Sequence, residues 1–294
     1  MTTPDRPSLA GAVPFSFKLA VIWQQFKNFS RYLRFYWKSL SPATATPQGF
    51  KFYGNRHMLA GTFEPEETRL VARMLNQTDV FINVGANIGY YCCIALSHGK
   101  HVVAFEPIDL NVRHLLTNVR INGWQNQIEI YPLALGSELG ILELFGAGTG
   151  ASFLRGWANN PDHHVSLAPV STLDTMVGDR FAGKRCLILV DIEGAEHIML
   201  SGAGRILAAS PKPSWLVEIS IDHHRPGADR INAKFQDTFA LFWDHGYEAW
   251  TVGAQPRKID PAEVKMVAQT GNNTFSNNNF IFLSPGSAPD LLGV

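Results

Sequence analysis

The chain predicts an α/β fold of the Rossmann-like class, a doubly wound, mostly parallel, seven-stranded sheet preceded by an N-terminal amphipathic helical extension. Three observations carry that prediction. Short apolar runs alternate with helix-period segments from about residue 63 to residue 283, as in a parallel sheet covered on both faces. One run, Val80-Phe81-Ile82, leads through Asn83-Val84-Gly85-Ala86-Asn87-Ile88-Gly89 into an apolar helical stretch. Carboxylates close three of the apolar strands, at Glu106, Asp191 and Glu218, on the edge where open α/β sheets bind their ligands.

With 294 residues, 46% of them hydrophobic and 17% charged, the chain has the size and composition of an ordinary soluble α/β domain with an extension. Net charge is zero but unevenly spread. Eight Lys/Arg and no acid lie between Arg6 and Phe63, so the rest carries eight more acids than bases. An acidic core lacks the footprint of a nucleic-acid binder. Three cysteines, Cys92 and Cys93 adjacent in apolar surroundings, form no disulfide framework or metal cluster. They predict buried, reduced thiols and a cytoplasmic setting. Lys18 and Lys27 interrupt the N-terminal apolar residues well short of a membrane span, and the order of parts in a signal peptide is missing.

Taken in order, residues 1–13 read as a weakly structured tail and residues 14–40 as a basic, aromatic helix. At about 100° per residue, Lys27, Arg31, Arg34 and Lys38 share a narrow arc opposite Ile22, Phe26, Phe29, Leu33, Tyr36 and Leu40. Such a helix suits a membrane interface rich in anionic headgroups, and equally a packed face on this domain or a second subunit. The turn-rich run Ser41-Pro42-Ala43-Thr44-Ala45-Thr46-Pro47 is a linker, which divides the chain into domains 1–47 and 48–294. Phe63-Glu64-Pro65-Glu66-Glu67 opens a helix to Leu75, with acids where the helix dipole favours them. Strands follow at 80–84, 101–106, 127–131, 186–192, 214–219, 247–252 and 279–283, with helices near 88–98, 109–121, 195–209 and 231–245. Residues 136–175 interrupt the alternation with a small hairpin over 139–145 and a Gly- and Asn-rich loop, an insertion large enough to be functional.

The first glycine turn has the spacing G-x-x-x-G, with Asn87 where a dinucleotide fingerprint has a further glycine. That spacing favours a cofactor with no phosphate at the turn, and S-adenosylmethionine fits. Gly85, Asn87 and Gly89 are its expected contacts, with free N–H groups at the helix start. Glu106, held by Pro107 about twenty residues on, is placed to accept both hydroxyl protons of a ribose. The small residues Ala134-Leu135-Gly136 leave room for an adenine ring against the backbone. Asp191 and Glu193 stand two apart, on one face if the strand is extended; beside a cofactor they bind substrate, hold a divalent metal or act as a base. Glu196 reads as a helix-capping acid. Glu218 and the loop Asp222-His223-His224-Arg225 bring further carboxylate and imidazole groups to the same edge. His163 and His164 fall in the insertion.

Taken together, Phe63-Glu64, Asn83-Val84-Gly85-Ala86-Asn87-Ile88-Gly89, Phe105-Glu106-Pro107, Asn118 with Asn122, Ala134-Leu135-Gly136, Thr172-Leu173-Asp174 and Asp191-Ile192-Glu193-Gly194-Ala195-Glu196 resemble the FkbM-type methyltransferases. The resemblance spans about residues 60 to 285. It implies a class I methyltransferase fold and S-adenosylmethionine as cofactor, bound by Asn83, Gly85, Asn87, Gly89, Glu106, Pro107 and Ala134. It also implies O-methylation of a hydroxyl on a sugar, glycolipid or polyketide-like natural product. Two positions depart from the family pattern: Asn83 stands where an Asp is usual, and Leu189 where a Lys is common.

The expected chemistry is attack of a hydroxyl on the sulfonium methyl, with His223 or His224 as the base and Asp191 positioning the hydroxyl or removing the proton itself. Glu193 and Glu218 would hold substrate hydroxyls, a divalent metal being left open. The expected partner is a small-molecule or glycan acceptor, with peripheral contact to the inner face of the membrane through residues 14–40. The oligomeric state is undetermined. Two other classes stay in view, a non-catalytic membrane-associated cofactor-binding module and an NAD-dependent nucleotide-sugar oxidoreductase. The second lacks both G-x-G-x-x-G and a Y-x-x-x-K pair.

Overall fold

The computed structural model describes Trp23 and residues 43–146, 152–155, 157, 165–222 and 231–292. The chain divides into two compact units, Met1–Ser41 and Pro42–Val294. Of the first unit only Trp23 is described, as helical and exposed. The expectations for the rest of residues 1–42, and for His163, His164, His223 and His224, lie outside the described residues.

The second unit starts with an antiparallel ribbon of β1 (Thr44–Ala45) and β2 (Lys51–Phe52). Two asparagines on the helix Asp109–Ile121 and just past it clamp this ribbon as a backbone strand would. The Asn118 Oδ1 accepts from the Tyr53 N–H (2.8 Å), and the Asn122 amide accepts from the Lys51 N–H (2.9 Å) and donates to its carbonyl (2.7 Å). Next come the helices Arg56–Ala60 and Pro65–Leu75, β3 (Val80–Val84), helix Tyr90–Ser97, β4 (His101–Phe105) and β5 (Ile128–Tyr131). Beyond β5 lie β6 (Ala134–Leu135), β7 (Gly140–Phe145), β8 (Val165–Ser171) and β9 (Cys186–Val190). The chain closes through β10 (Ser214–Glu218), helix Phe235–Asp244, β11 (Glu248–Thr251) and β12 (Asn279–Leu283).

Seven of these strands form one sheet in the order β11-β12-β10-β9-β3-β4-β5. Pairing is parallel except for β12, which runs antiparallel to both β10 and β11. This is the predicted doubly wound sheet, strand for strand. Its central strands are buried on both faces because their side chains alternate between two cores. Ile82, Val84, Ile188 and Val190 pack on one side with Phe239, Phe242 and Phe282. Phe81, Leu187, Leu189 and Leu216 pack on the other with Val71, Met74, Tyr90 and Leu115.

Four details differ from the sequence reading. The expected hairpin over 139–145 is one strand, β7, whose partner is β8. With β6 they form a three-stranded sheet in the order β6-β8-β7. The expected helix 195–209 is broken into Glu196–Ser201 and Gly204–Leu207, and a Cβ on the intervening Gly202 would lie 2.2 Å from the Gly136 carbonyl. Helices Arg56–Ala60, Leu173–Val177, Pro261–Thr270 and Ala288–Leu292 have no counterpart in the sequence reading. Cys92 and Cys93 are fully buried, whereas Cys186 keeps partial exposure. Among the described residues no helix is long and apolar enough to cross a membrane.

Candidate active site

The ends of β3, β4 and β9 meet around one cleft. Gly85 follows β3 with φ +82°, and a Cβ there would sit 1.9 Å from the Asp191 carbonyl oxygen. The glycine is therefore required by the approach of two strand ends, as well as by its left-handed backbone. Asp191 in turn donates its N–H to the Val84 carbonyl (3.0 Å), and the Gly85 and Ala86 N–H groups both reach the Phe105 carbonyl at 2.9 Å. Gly89, expected as a cofactor contact, does different work. It is the N-cap of helix Tyr90–Ser97, and a Cβ would strike Leu115 at 2.2 Å. It is absent from the residues lining the cleft, where Gly85, Asn87, Glu106, Pro107 and Ala134 all appear.

Glu106 is buried just past β4 and already holds three donors. Its carboxylate accepts from the N–H of Asn87 (2.8 Å), the N–H of Ile108 (2.9 Å) and the side-chain amide of Asn111 (3.2 Å). Burial pushes its carboxyl above the usual range, against those three bonds. Two of the bonds fix the glycine turn and the start of helix Asp109–Ile121, so Glu106 braces the cleft while facing into it.

Asn83 is buried on β3, outside the cleft, in an adjoining recess shared with Glu64, Tyr91, Gly85 and Asp191. Its amide nitrogen donates to the Cys92 sulfur (3.4 Å), and its Oδ1 has no partner in the protein. Glu64 lies across the recess. Burial pushes its carboxyl up to about 7, with repulsion from Asp191 and Glu67 adding to the rise and a 2.6 Å bond donated by the Tyr91 hydroxyl opposing it. Asp191 lines both cleft and recess. Its carboxyl stands well above the ordinary range because of burial and because of Glu218, Glu193 and Glu106 around it. Glu218 closes β10 beside it but does not line the cleft.

Glu193 is not in an extended strand with Asp191, as its spacing suggested. β9 ends at Val190, and Glu193 sits in a turn with φ +56°. The insertion holds that turn: the Trp157 indole N–H donates to the Glu193 carboxylate (2.8 Å), and the Ser152 hydroxyl donates to the Glu193 carbonyl (2.6 Å). Gly194 is needed because Trp157 lies on it, 2.6 Å from where a Cβ would be. Glu196 caps the turn by accepting from the Gly194 N–H (2.9 Å). Among the described residues, the non-glycine residues with left-handed backbone are Glu64, Asn87 and Glu193. All three border the cleft or its recess, and strain of this kind concentrates at functional sites.

Sequence reasoning passed over Asn111, Ser152, Phe153 and Trp157, and marked Glu64 only as a helix-opening acid and through the family resemblance. Nothing in the local pattern around Trp157 signals its place over Gly194. His223 and His224 fall outside the described residues. Among the described residues no group of His, Cys, Asp or Glu is arranged to hold a metal ion.

Comparison with known proteins adds the family. The model of the methyltransferase FkbM domain matches residues 83–249. A crystal structure of methyltransferase FkbM from Methylobacillus flagellatus KT is similar at 17% identity and a TM-score of 0.43, covering 78% of this chain and 56% of that one. The chain thus spans little more than half the length of that relative. Precorrin-6y C5,15-methyltransferase from Geobacter metallireducens GS-15 is similar at 9% identity and a TM-score of 0.39, covering 79% of this chain and 91% of that one. No curated protein matches the chain.

Proposed function

The chain belongs to the family of the methyltransferase FkbM domain, and from that premise we propose that it transfers a methyl group from S-adenosylmethionine to a hydroxyl of a sugar, glycolipid or polyketide-like natural product. One observation carries the reading: Gly85, Glu106 and Asp191, from three neighbouring strand ends, line a single cleft.

The residues present fit the cofactor. Glu106 has about one acceptor site beyond its three bonds for a ribose hydroxyl. Ala134, Leu135, Ile108 and Phe153 supply small or apolar walls for a flat ring. The unpartnered Asn83 Oδ1, with Glu64 across the recess, offers acceptors for an ammonium group, so the Asn in place of the family's usual Asp keeps a hydrogen bond there. The bound cofactor supplies an electrophilic methyl on a sulfonium centre. The protein aligns the hydroxyl and removes its proton, a contribution worth about 10²–10⁴ in rate. Asp191 is the described group best placed for that step. Glu193 meets the acceptor with the lone pairs Trp157 leaves free, and His223 and His224 are the alternative bases. Support for an alcohol acceptor comes from the need for a proton-accepting group beside the cleft.

Mass spectrometry of glycolipids and secreted metabolites from a deletion strain tests the reading. The expected result is one compound that lacks a single O-methyl group and regains it with the wild-type chain but not with Asp191→Asn. Metabolites that change in oxidation state instead would replace the reading with an oxidoreductase.

A further inference from the structure

We propose that Glu218 is a positioning residue that shares one proton with Asp191, and that the pair carries the acceptor hydroxyl's proton inward from Asp191 to Glu218. The proposal rests on the methyl-transfer reading above and gives Glu218 a role other than holding substrate hydroxyls.

Register brings the two carboxyls together. Val190 of β9 lies opposite Val217 of β10 in a parallel ladder, so the next residues, Asp191 and Glu218, stand side by side at the strand ends. Neighbouring strands are about 4.8 Å apart. Their register partners two residues back, Leu189 and Leu216, enter the same core, so alternation points Asp191 and Glu218 to that same face. Each carboxyl shifts the other as a hydrogen-bonding neighbour does, and two carboxyls can bond to each other only with a proton between them.

The surroundings keep the proton in place. Acids face the pair from each packed element: Glu64 from the start of helix Pro65–Leu75, Glu106 from the end of β4, and Glu193 and Glu196 from the turn after β9. Glu67 stands behind Glu64 and is engaged by the Asn279 amide at 3.0 Å. Among the described residues that line the cleft and recess there is no Lys, Arg or His. Burial and this crowding raise both carboxyls, Asp191 well above its ordinary value and Glu218 up to about 7. The pair therefore holds one proton between its two carboxyls near neutrality, and the relay runs from the form with that proton on Asp191.

Asp191 lines the cleft and Glu218 does not, so an acceptor in the cleft meets Asp191 first. As the acceptor oxygen bonds to the methyl carbon and that carbon's bond to sulfur breaks, the hydroxyl proton passes to one oxygen of Asp191. The proton on its other oxygen passes to the Glu218 carboxylate. Asp191 stays neutral throughout, the pair ends with two protons, and one leaves to solvent before the next turnover.

Infrared difference spectroscopy reads the shared proton without an acceptor. The expected result at pH 6 is a protonated-carboxyl C=O band in the wild-type-minus-Glu218→Gln and wild-type-minus-Asp191→Asn difference spectra, in which the Glu64 band cancels, and its absence from the wild-type-minus-Glu218→Asp spectrum. Thermal melting of each variant reports its folding. In transfer of labelled methyl from S-adenosylmethionine to a glycan and lipid extract, Glu218→Gln should lose at least a hundredfold in rate with unchanged affinity for S-adenosylhomocysteine. A wild-type-minus-Glu218→Gln spectrum with no such band would overturn the shared proton, and wild-type transfer by that variant would overturn the relay. Failure of the wild-type chain to bind S-adenosylhomocysteine would defeat the methyl-transfer reading, a result on which the band does not depend.

Discussion

Glu106 combines two duties that are usually separated. Its carboxylate braces the backbone at Asn87 and Ile108, and it faces the cleft in which a ribose would lie. Replacing it with Ala should therefore weaken S-adenosylhomocysteine binding by about 1.5–3 kcal/mol, the cost of removing a charged acceptor from buried donors, as measured by calorimetry on a variant shown to be folded. Unchanged affinity would remove Glu106 from the site. At this scale the sequence was readable wherever a residue type is conspicuous against its surroundings. A carboxylate at the tip of an apolar strand, as at Glu106 or Asp191, stands out from the run before it. Gly89 shows the limit of that signal, because a left-handed N-cap packed on Leu115 leaves the same mark in the sequence as a glycine that admits a ligand.

The insertion is the element that most alters the picture of the site. Through β7, β8 and the bridge between Phe145 and Ser152 it brings Ser152 and Trp157 onto the turn after β9. If Trp157 holds the strained backbone of Glu193, Trp157→Phe and Glu193→Gln should not be additive in stability. A double-mutant cycle by denaturant unfolding should give a coupling of about 0.5–3 kcal/mol, and additivity would mean the turn keeps its shape unaided. The core strands were legible because each is a short, continuous apolar run. β8 was not: Val165, Ser166, Leu167 and Pro169 are exposed, so its pattern lacks a buried stripe, and its partner lies some twenty residues back along the chain. Helix Pro261–Thr270 buries only Val264 and Val267, too few for a 3.6-residue period to show, although its capping Asp260 and closing Gly271 follow the usual signals.

Across the whole molecule, the acids at the carboxyl end of the sheet set a pH dependence of stability. Glu64 and Glu218 both have folded values raised to about 7. Their contribution is complete below the unfolded carboxyl range and is lost as pH rises through about 7. The outer pairs act in the opposite sense. Hydrogen bonds from Arg185 hold Asp79 down to about 2, and those from Arg180, Tyr131 and His101 hold Glu129 there against its partial burial. That stability is lost as pH falls from about 4 toward 2. The melting temperature should therefore peak near pH 5 and decline toward pH 8, more steeply in wild type than in Glu218→Gln; a curve rising from pH 5 to pH 8 would contradict the crowding of acids. The basic, aromatic residues 14–40 belong to this scale too. Deleting residues 1–41 should leave a folded fragment that no longer sediments with anionic vesicles, whereas a full-length chain that never binds them would assign that face to protein contacts. The central claim is the identity of the cofactor, and calorimetric titration of the full chain with S-adenosylhomocysteine and with NAD tests it most directly. Saturable binding of S-adenosylhomocysteine, with none of NAD, is the result predicted; NAD binding with no response to S-adenosylhomocysteine would contradict it.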